Sequence, residues 1–355
     1  MIAAKIGDRL ADWFAGQLPD AERVRIDNLD QVTFGHSAEM TLLTLAWRAD
    51  GADQRQDVVL RACPPLPWLL EPYDLRRQFD ILRGLDGTPV RAPRALWIDE
   101  AGDVFGRPFY VMERLPGTVY EQRIPTELKQ SPERVRRMAD RVIEQIAAIH
   151  LTDLRATGLD RLGGGADYLD RELDHWDGQV SRWQTVPIPG LARLSAELRA
   201  RLPAPTPQVT LVHGDPKGGN FAFTGEEVTG VFDWEMSALG DPMADIGWAE
   251  VTWRSTLPFS MLSATDITQL LARYQELTGI RVHHRPWHRA MQAYKMAVIM
   301  LTGAKLYRGG FTSDTRFAAM AAYGPPITAL ALRELDPDLK VNDLDAGWPD
   351  YGLRA

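Results

Sequence analysis

The stretch that most constrains this chain is residues 209–247, VTLVHGDPKGGNFAFTGEEVTGVFDWEMSALGDPMADIG, where polar side chains recur at spacings that packing alone does not demand. The apolar run Val209 to Val212 reads as a buried strand and stops at His213-Gly214-Asp215. Asn220 follows beyond a loop containing Pro216, Gly218 and Gly219. A second apolar run, Val228 to Phe232, ends in Asp233, and Gly240-Asp241-Pro242 with Asp245 comes after it. Two strands flanking a tight loop, each ending in a carboxylate, are expected to bring Asp215, Asn220 and Asp233 to one end of a small ribbon. Asp and Gly also crowd turns for backbone reasons. It is the ordered set, with a strand-like run ahead of each acid, that singles the stretch out.

Between positions 201 and 250 the chain has eight acidic residues and two basic ones, Arg201 and Lys217. Such a segment repels itself unless something positive sits in it, and a divalent cation is the simplest candidate. Carboxylate and amide oxygens with no nearby Cys or second His suit Mg²⁺, a hard ion that keeps several waters and shares its shell with substrate phosphates.

The pattern H-G-D-P-K-G-G-N followed by F-D-W-E resembles the catalytic loop and metal-binding Asp of the aminoglycoside phosphotransferase-like kinases, relatives of the protein kinases. In protein kinases the signature is H-R-D-x-x-x-x-N followed by D-F-G. The resemblance implies an α+β, protein-kinase-like fold of two lobes. Residues 1–115 would form an antiparallel sheet with one helix, preceded by an N-terminal helix. Residues 116–355 would form a mostly helical lobe holding the catalytic loop and the acceptor site. It also implies ATP and Mg²⁺ as cofactors and a small-molecule hydroxyl as acceptor. Asp215 would accept or orient the acceptor proton, Lys217 would neutralise the moving phosphoryl group, and Asn220 and Asp233 would hold Mg²⁺. Asp241 and Asp245 are expected to brace the loop from the next helix N-terminus, where carboxylates are favoured.

The same resemblance organises the N-terminal part. Arg23 to Asp30, Met40 to Arg48 and Gln56 to Arg61 read as strands, with Asp50-Gly51-Ala52-Asp53 as a turn. Thr33-Phe34-Gly35-His36-Ser37-Ala38 would cover ATP phosphates through Gly35 and Ser37, although with one glycine it reads equally as a plain hairpin turn. Val58-Val59-Leu60-Arg61-Ala62-Cys63-Pro64-Pro65 resembles the V-L-R-x-P-P segment of a branch that includes kinase domains fused to acyl-CoA dehydrogenases. Arg61 then stands where most kinases carry Lys, keeping the charge and adding a planar fork for phosphate oxygens. Leu75, Phe79 and Leu82 mark a helix in which Gln78 takes the place of the usual Glu, able to hydrogen-bond Arg61 without neutralising it. Arg94 to Ile98 and Phe105 to Leu115 read as the last strands. The backbone of Glu113 to Leu115 would supply the adenine donor and acceptor.

The chain has 355 residues, 45% hydrophobic, and can bury a sizeable core. Its net charge of -8 argues against a nucleic-acid surface. Cys63 is the one cysteine, so no internal disulfide forms and a reducing, cytoplasmic setting is expected. No signal peptide is visible; Ile2, Ile6, Leu10, Trp13 and Phe14 fall at helical spacing, and no run is long enough to span a bilayer.

Val135, Met138, Val142, Ile146 and Ile149 mark a helix from Pro132 to His150, and three more helices are expected near 264–278, 286–307 and 314–334. Trp248, Trp253 and Trp287 read as core or as acceptor lining. Arg281, His283, His284, Arg285, His288 and Arg289 form a basic cluster that could hold an anionic acceptor or be a bare surface patch. The expected activity is phosphoryl transfer to a hydroxyl of a hydroxy acid or hydroxyacyl-CoA, an aminoglycoside or another alcohol. A catalytically weak nucleotide-binding protein and a metal-dependent phosphoesterase are the alternatives. Oligomeric state leaves no trace in the sequence.

Overall fold

The computed structural model describes residues 2–32, 39–104, 106–120, 124–184, 188–254 and 266–339. The chain divides into two compact units, Met1–Gly117 and Thr118–Ala355.

The first unit opens with helix α1 (Ile2–Gln17). Strands β1 (Glu22–Val32), β2 (Glu39–Ala49), β3 (Ala52–Ala62), β4 (Ala95–Asp99) and β5 (Phe109–Glu113) form one antiparallel sheet in the order β1-β2-β3-β5-β4. Alternation along the strands turns Leu43, Leu45, Val58, Leu60, Phe109 and Val111 to one face, where they close on Leu10 and Phe14. The β2–β3 turn needs two left-handed residues to match the strand twist, and Asp50 (φ 50°) and Gly51 (φ 76°) supply them. Helix α2 (Leu75–Leu85) is capped by Asp74 Oδ1, which accepts from the Arg77 amide at 2.8 Å, and buries Leu75, Phe79 and Leu82 as its spacing demands. Strand β5 starts at Phe109, later than the expected Phe105. Gly106 turns at φ 73° with its amide on Gly102 O at 2.7 Å, and Pro108 has no N–H for the ladder. The turn holding Gly35 and Ser37 lies outside the described residues.

The second unit contains strands β6 (Thr118–Val119), β7 (Thr210–Val212), β8 (Phe221–Thr224), β9 (Glu227–Val231) and β10 (Ala238–Gly240). Its helices are α3 (Thr126–Lys129), α4 (Pro132–His150), α5 (Tyr168–Trp183), α6 (Pro189–Ala200), α7 (Met243–Arg254), α8 (Ile267–Thr278), α9 (Arg285–Arg308), α10 (Thr315–Met320) and α11 (Gly324–Leu335). All five expected apolar positions of α4 are buried, while Arg137 and Arg141 pair with Glu226 and Glu227 on the solvated side. Helix α9 is buried along most of its length and packs against α5, α6, α7, α10 and α11. The helix expected at 314–334 is broken into α10, a 3₁₀ turn and α11, because Pro325 and Pro326 lack the amides that continuation would require.

The ribbon differs from the expectation. Strand β7 pairs with β10, and β9 pairs with β8, a short strand not anticipated in the sequence. The hairpin forms between β8 and β9 because Gly225 (φ 66°) makes a tight turn there. The Pro216 and glycine loop between β7 and β8 joins no sheet and closes in a 3₁₀ turn, Gly218–Asn220, just ahead of β8.

Candidate active site

Asp245, near the start of α7, organises the loop that follows β7. Its Oδ2 accepts from the His213 amide at 2.8 Å and its Oδ1 from the Gly214 amide at 2.7 Å. His150 Nε2 lies 3.0 Å from the same Oδ2, and His150 Nδ1 lies 2.7 Å from the Tyr274 hydroxyl. Burial pushes the Asp245 carboxyl up, but the hydrogen bond and charge of His150, with His213, outweigh it and hold it below the ordinary carboxylate range. Gly214 sits at φ 85°, and a Cβ there would come within 2.2 Å of Met236 O, so only glycine fits.

His213 is fully buried, with Nδ1 accepting from the Asp215 amide at 3.2 Å. That fixes its proton on Nε2, which donates to Phe232 O at 2.9 Å and joins the loop to the end of β9. Asp241 caps α7 by accepting from the Met243 amide at 2.9 Å. Asp245 therefore braces the loop, and Asp241 supports the helix behind it.

Asp215 is 7% exposed, and three donors converge on its carboxylate. Trp248 Nε1 reaches Oδ1 at 2.6 Å, Asn220 Nδ2 reaches Oδ2 at 2.9 Å and Lys217 Nζ stands 3.2 Å from Oδ2. Asn220 Nδ2 also donates to Asp215 O at 2.8 Å. Both partners of that nitrogen are acceptors only, so the amide orientation is set by chemistry and its Oδ1 faces away from Asp215. The Phe232 amide donates to Asn220 O at 2.9 Å, which ties the residue before Asp233 to the residue that precedes β8. Asp233 itself adopts φ 67°, ψ 62°, a left-handed conformation uncommon for a residue with a side chain. The structure thus joins Asp215, Lys217 and Asn220 by their side chains, and it brings the backbone next to Asp233 to Asn220 by way of β8 and β9 rather than β7 and β9.

The residues expected to hold the nucleotide from the sheet lie in the first unit. Arg61 is 5% exposed on β3 and its Nε donates to the Tyr73 hydroxyl at 3.2 Å. Gln78 is 2% exposed, and neither its oxygen nor its nitrogen has a hydrogen-bond partner among the described residues. The expected bond between Gln78 and Arg61 is not made; a phenol from the segment before α2 engages the guanidinium. Glu113 ends β5 with its amide on Arg94 O at 2.9 Å and its side chain accepting from Arg94 Nε at 3.3 Å. Leu115 is half-buried just past the strand.

The basic cluster near residue 285 resolves into structure. Glu250, 0% exposed, accepts from Arg285 Nε at 2.7 Å and Arg289 Nη1 at 2.9 Å, and Arg289 also reaches Glu334. These arginines neutralise a buried acid. His288 is 1% exposed, and burial pushes its imidazole down to about 3, so it stays neutral.

Two residues of the site were not assigned a role from the sequence. Trp248 was weighed as core or lining, yet it stands three residues after Asp245, the spacing that puts both on one face of α7. Lys295 is 2% exposed on α9 with Nζ donating to Gly214 O at 2.8 Å. A lone lysine inside the apolar run of α9 was the available signal, since lysine is almost never fully buried without a partner.

Among the described residues no helix is long and apolar enough to cross a membrane. The family model described as "Phosphotransferase enzyme family" matches residues 44–286. Acyl-CoA dehydrogenase family member 10 of Mus musculus is 34% identical over 220 residues, covering 61% of this chain and 20% of the mouse protein, so the chain spans about a fifth of that relative. Viomycin phosphotransferase of Streptomyces vinaceus is 29% identical over 178 residues, covering 47% of this chain and 58% of that protein. In fold, the chain is similar to a putative aminoglycoside phosphotransferase from Ralstonia eutropha JMP134, with a TM-score of 0.74 and 24% identity, covering 94% of this chain and 99% of the other. With the family match running from β2 through the loop and on to α9, the chain belongs to the phosphotransferase enzyme family.

Proposed function

We propose that the protein transfers the γ-phosphoryl group of ATP to a hydroxyl of a small molecule, with Mg²⁺ as cofactor. The observation that carries this reading is the triple clamp on Asp215. A carboxylate fixed by Trp248, Asn220 and Lys217 is held in one orientation, ready to accept the proton of an incoming hydroxyl. Lys217 contributes a positive charge next to the point of transfer, where negative charge spreads over the phosphoryl oxygens.

Among the described residues no group of three or more His, Cys, Asp or Glu could hold a metal, which speaks against an all-protein cage. Mg²⁺ does not require one, because it is held by one or two protein oxygens together with phosphates and water. Asn220 Oδ1, turned from Asp215 by the two bonds of its nitrogen, and the carboxylate of Asp233, whose neighbour Phe232 is bonded to Asn220 through the backbone, are donors of the type that demand calls for. When bound, the ion would neutralise phosphate charge. In the first unit, Arg61 would hold phosphate oxygens, Gln78 would lie behind it, and Glu113 and Leu115 would offer backbone groups to the adenine. Gly35 and Ser37 would cover the phosphates.

For the acceptor, the match to an acyl-CoA dehydrogenase family member supports a hydroxy acid or hydroxyacyl thioester. The match to viomycin phosphotransferase supports a hydroxylated antibiotic. The unpartnered amide of Gln78 is the observation that favours a weak nucleotide-binding protein instead.

A phosphotransfer screen from Mg-ATP across hydroxyacyl-CoAs, hydroxy acids, aminoglycosides and peptide antibiotics tests the reading, with products identified by mass. A phosphorylated acceptor formed only with ATP and Mg²⁺ is expected. Phosphate release from monoesters without ATP would instead identify a phosphoesterase. A rise in melting temperature with Mg-ATP and no phosphorylated product would identify a binding protein.

A further inference from the structure

We propose that Lys295 is a positioning residue for Asp215, acting through the Gly214 carbonyl and the indole of Trp248; this rests on the phosphotransferase reading above. Lys295 comes from α9, far in sequence from the loop it touches. Its Nζ donates to Gly214 O at 2.8 Å and lies 4.8 Å from the centre of the Trp248 ring and 5.7 Å from that of Trp176. One N–H thus holds the residue immediately before Asp215, and the ammonium faces two indoles. The nearer indole donates to Asp215 Oδ1 at 2.6 Å. Lysine, indole and carboxylate form a chain of contacts, and the lysine fixes the carboxylate from both its backbone side and its Oδ1 side.

The setting explains why a lysine is tolerated there. Burial pushes the Lys295 ammonium down, while Glu172, Asp215 and Asp245 hold it up. Gly214 O is the one hydrogen-bond acceptor in contact with it among the described residues, and Trp176 is itself anchored by donating to Glu172 Oε2 at 3.1 Å. A neutral side chain of the same length would fill the space, but would leave Gly214 O without its donor and the Trp248 face without a cation.

The test uses the full chain as wild type, Lys295→Met, Lys295→Arg, Trp248→Phe and the double variant Lys295→Met/Trp248→Phe. The probe is Mg-ATP with water as acceptor, followed as ADP release. In Lys295→Met and in Trp248→Phe, kcat is expected to fall about 10–100-fold while KM for ATP stays within about twofold. The double variant is expected to lose no more than about threefold beyond the worse single variant, because both changes interrupt one chain of contacts. Lys295→Arg keeps the charge and is expected to retain at least about a third of wild-type kcat.

A second readout does not depend on turnover. The indole N–H of Trp248, assigned in a ¹⁵N–¹H spectrum by its disappearance in Trp248→Phe, should move upfield and exchange faster in Lys295→Met. A resonance that does not move, losses that multiply in the double variant, or a Lys295→Arg protein as impaired as Lys295→Met would each overturn the inference. A wild-type protein that releases no ADP with water and phosphorylates no acceptor in the screen above, although the resonance moves, would overturn the phosphotransferase reading and the catalytic meaning of the contact, while its geometry stood. Should Lys295→Met fail to fold, Trp248→Phe and Lys295→Arg decide the matter by the same criteria.

Discussion

Trp248 Nε1 stands 2.6 Å from Asp215 Oδ1, so an indole on α7 fixes the side of the carboxylate that Asn220 and Lys217 leave open. The second unit builds its site in this way: an irregular loop carries the reacting groups, and buried groups on α4, α7 and α9 hold that loop. Glycine is required at Gly214 because the backbone passes against Met236 O. Past Asp233, Asp245 acts on the backbone of the loop and Asp241 on the start of the helix behind it.

Asp245→Asn tests the brace. The substitution removes the charge that His150 faces and turns a donor toward the His213 or Gly214 amide. Breaking a buried, hydrogen-bonded pair costs about 3–5 kcal/mol, to be read from denaturant unfolding. An unfolding midpoint equal to that of the wild type would mean the brace carries no stability.

The same carboxyl sets an acid limit. Its folded value lies below its unfolded one, so the stability it contributes is fully present above the ordinary carboxylate range and is lost as pH falls through the depressed folded value. The stability difference between wild type and Asp245→Asn should therefore shrink as pH drops through and below the ordinary carboxylate range. Chemical denaturation at a series of pH values measures it. A gap that widens on acidification would reverse the sign of the argument.

Gly214→Ala forces a Cβ against Met236 O in a backbone conformation that L residues rarely take. The expected cost is about 2–4 kcal/mol of stability, with loss of turnover, since the displaced residue precedes Asp215. Melting temperature and ADP release report on the two effects separately. A variant with both unchanged would show that the loop has room to move.

Gln78→Leu addresses the orphaned amide. Replacing a buried polar group that lacks partners by an apolar one of similar size should leave stability unchanged or raise it by about 1 kcal/mol. If Gln78 serves the nucleotide, the rise in melting temperature produced by Mg-ATP should shrink at the same time. A destabilised variant with an unchanged Mg-ATP response would place Gln78 in the packing of α2 alone.

Much of the fold could be read from local pattern. The apolar spacing of α4 and α2, the Asp50-Gly51 turn and the strands of the first unit are decided by contacts near in sequence, where period and turn chemistry act. Asp215 and Asp233 were visible because an acid at the end of an apolar run has no packing reason to be there, and Asn220 by its fixed place after the Pro and Gly loop. What escaped depends on partners distant in the chain. Strand β8 is short and gains its place from β6 and β9. The basic cluster looked free because Glu250 is 35 positions away from Arg285, and no periodicity links the two. Lys295 was not singled out in the sequence and Trp248 read as core or acceptor lining, because their partners Gly214 and Asp215 lie on a distant loop.

The most direct measurement of the central claim is the rate of phosphoryl transfer from Mg-ATP by Asp215→Asn beside wild type, at matched nucleotide saturation. The account predicts that the variant folds, keeps the Mg-ATP-induced rise in melting temperature and loses turnover by about 10²-fold or more, as expected when a general base is removed. A variant that transfers phosphate at the wild-type rate would contradict it.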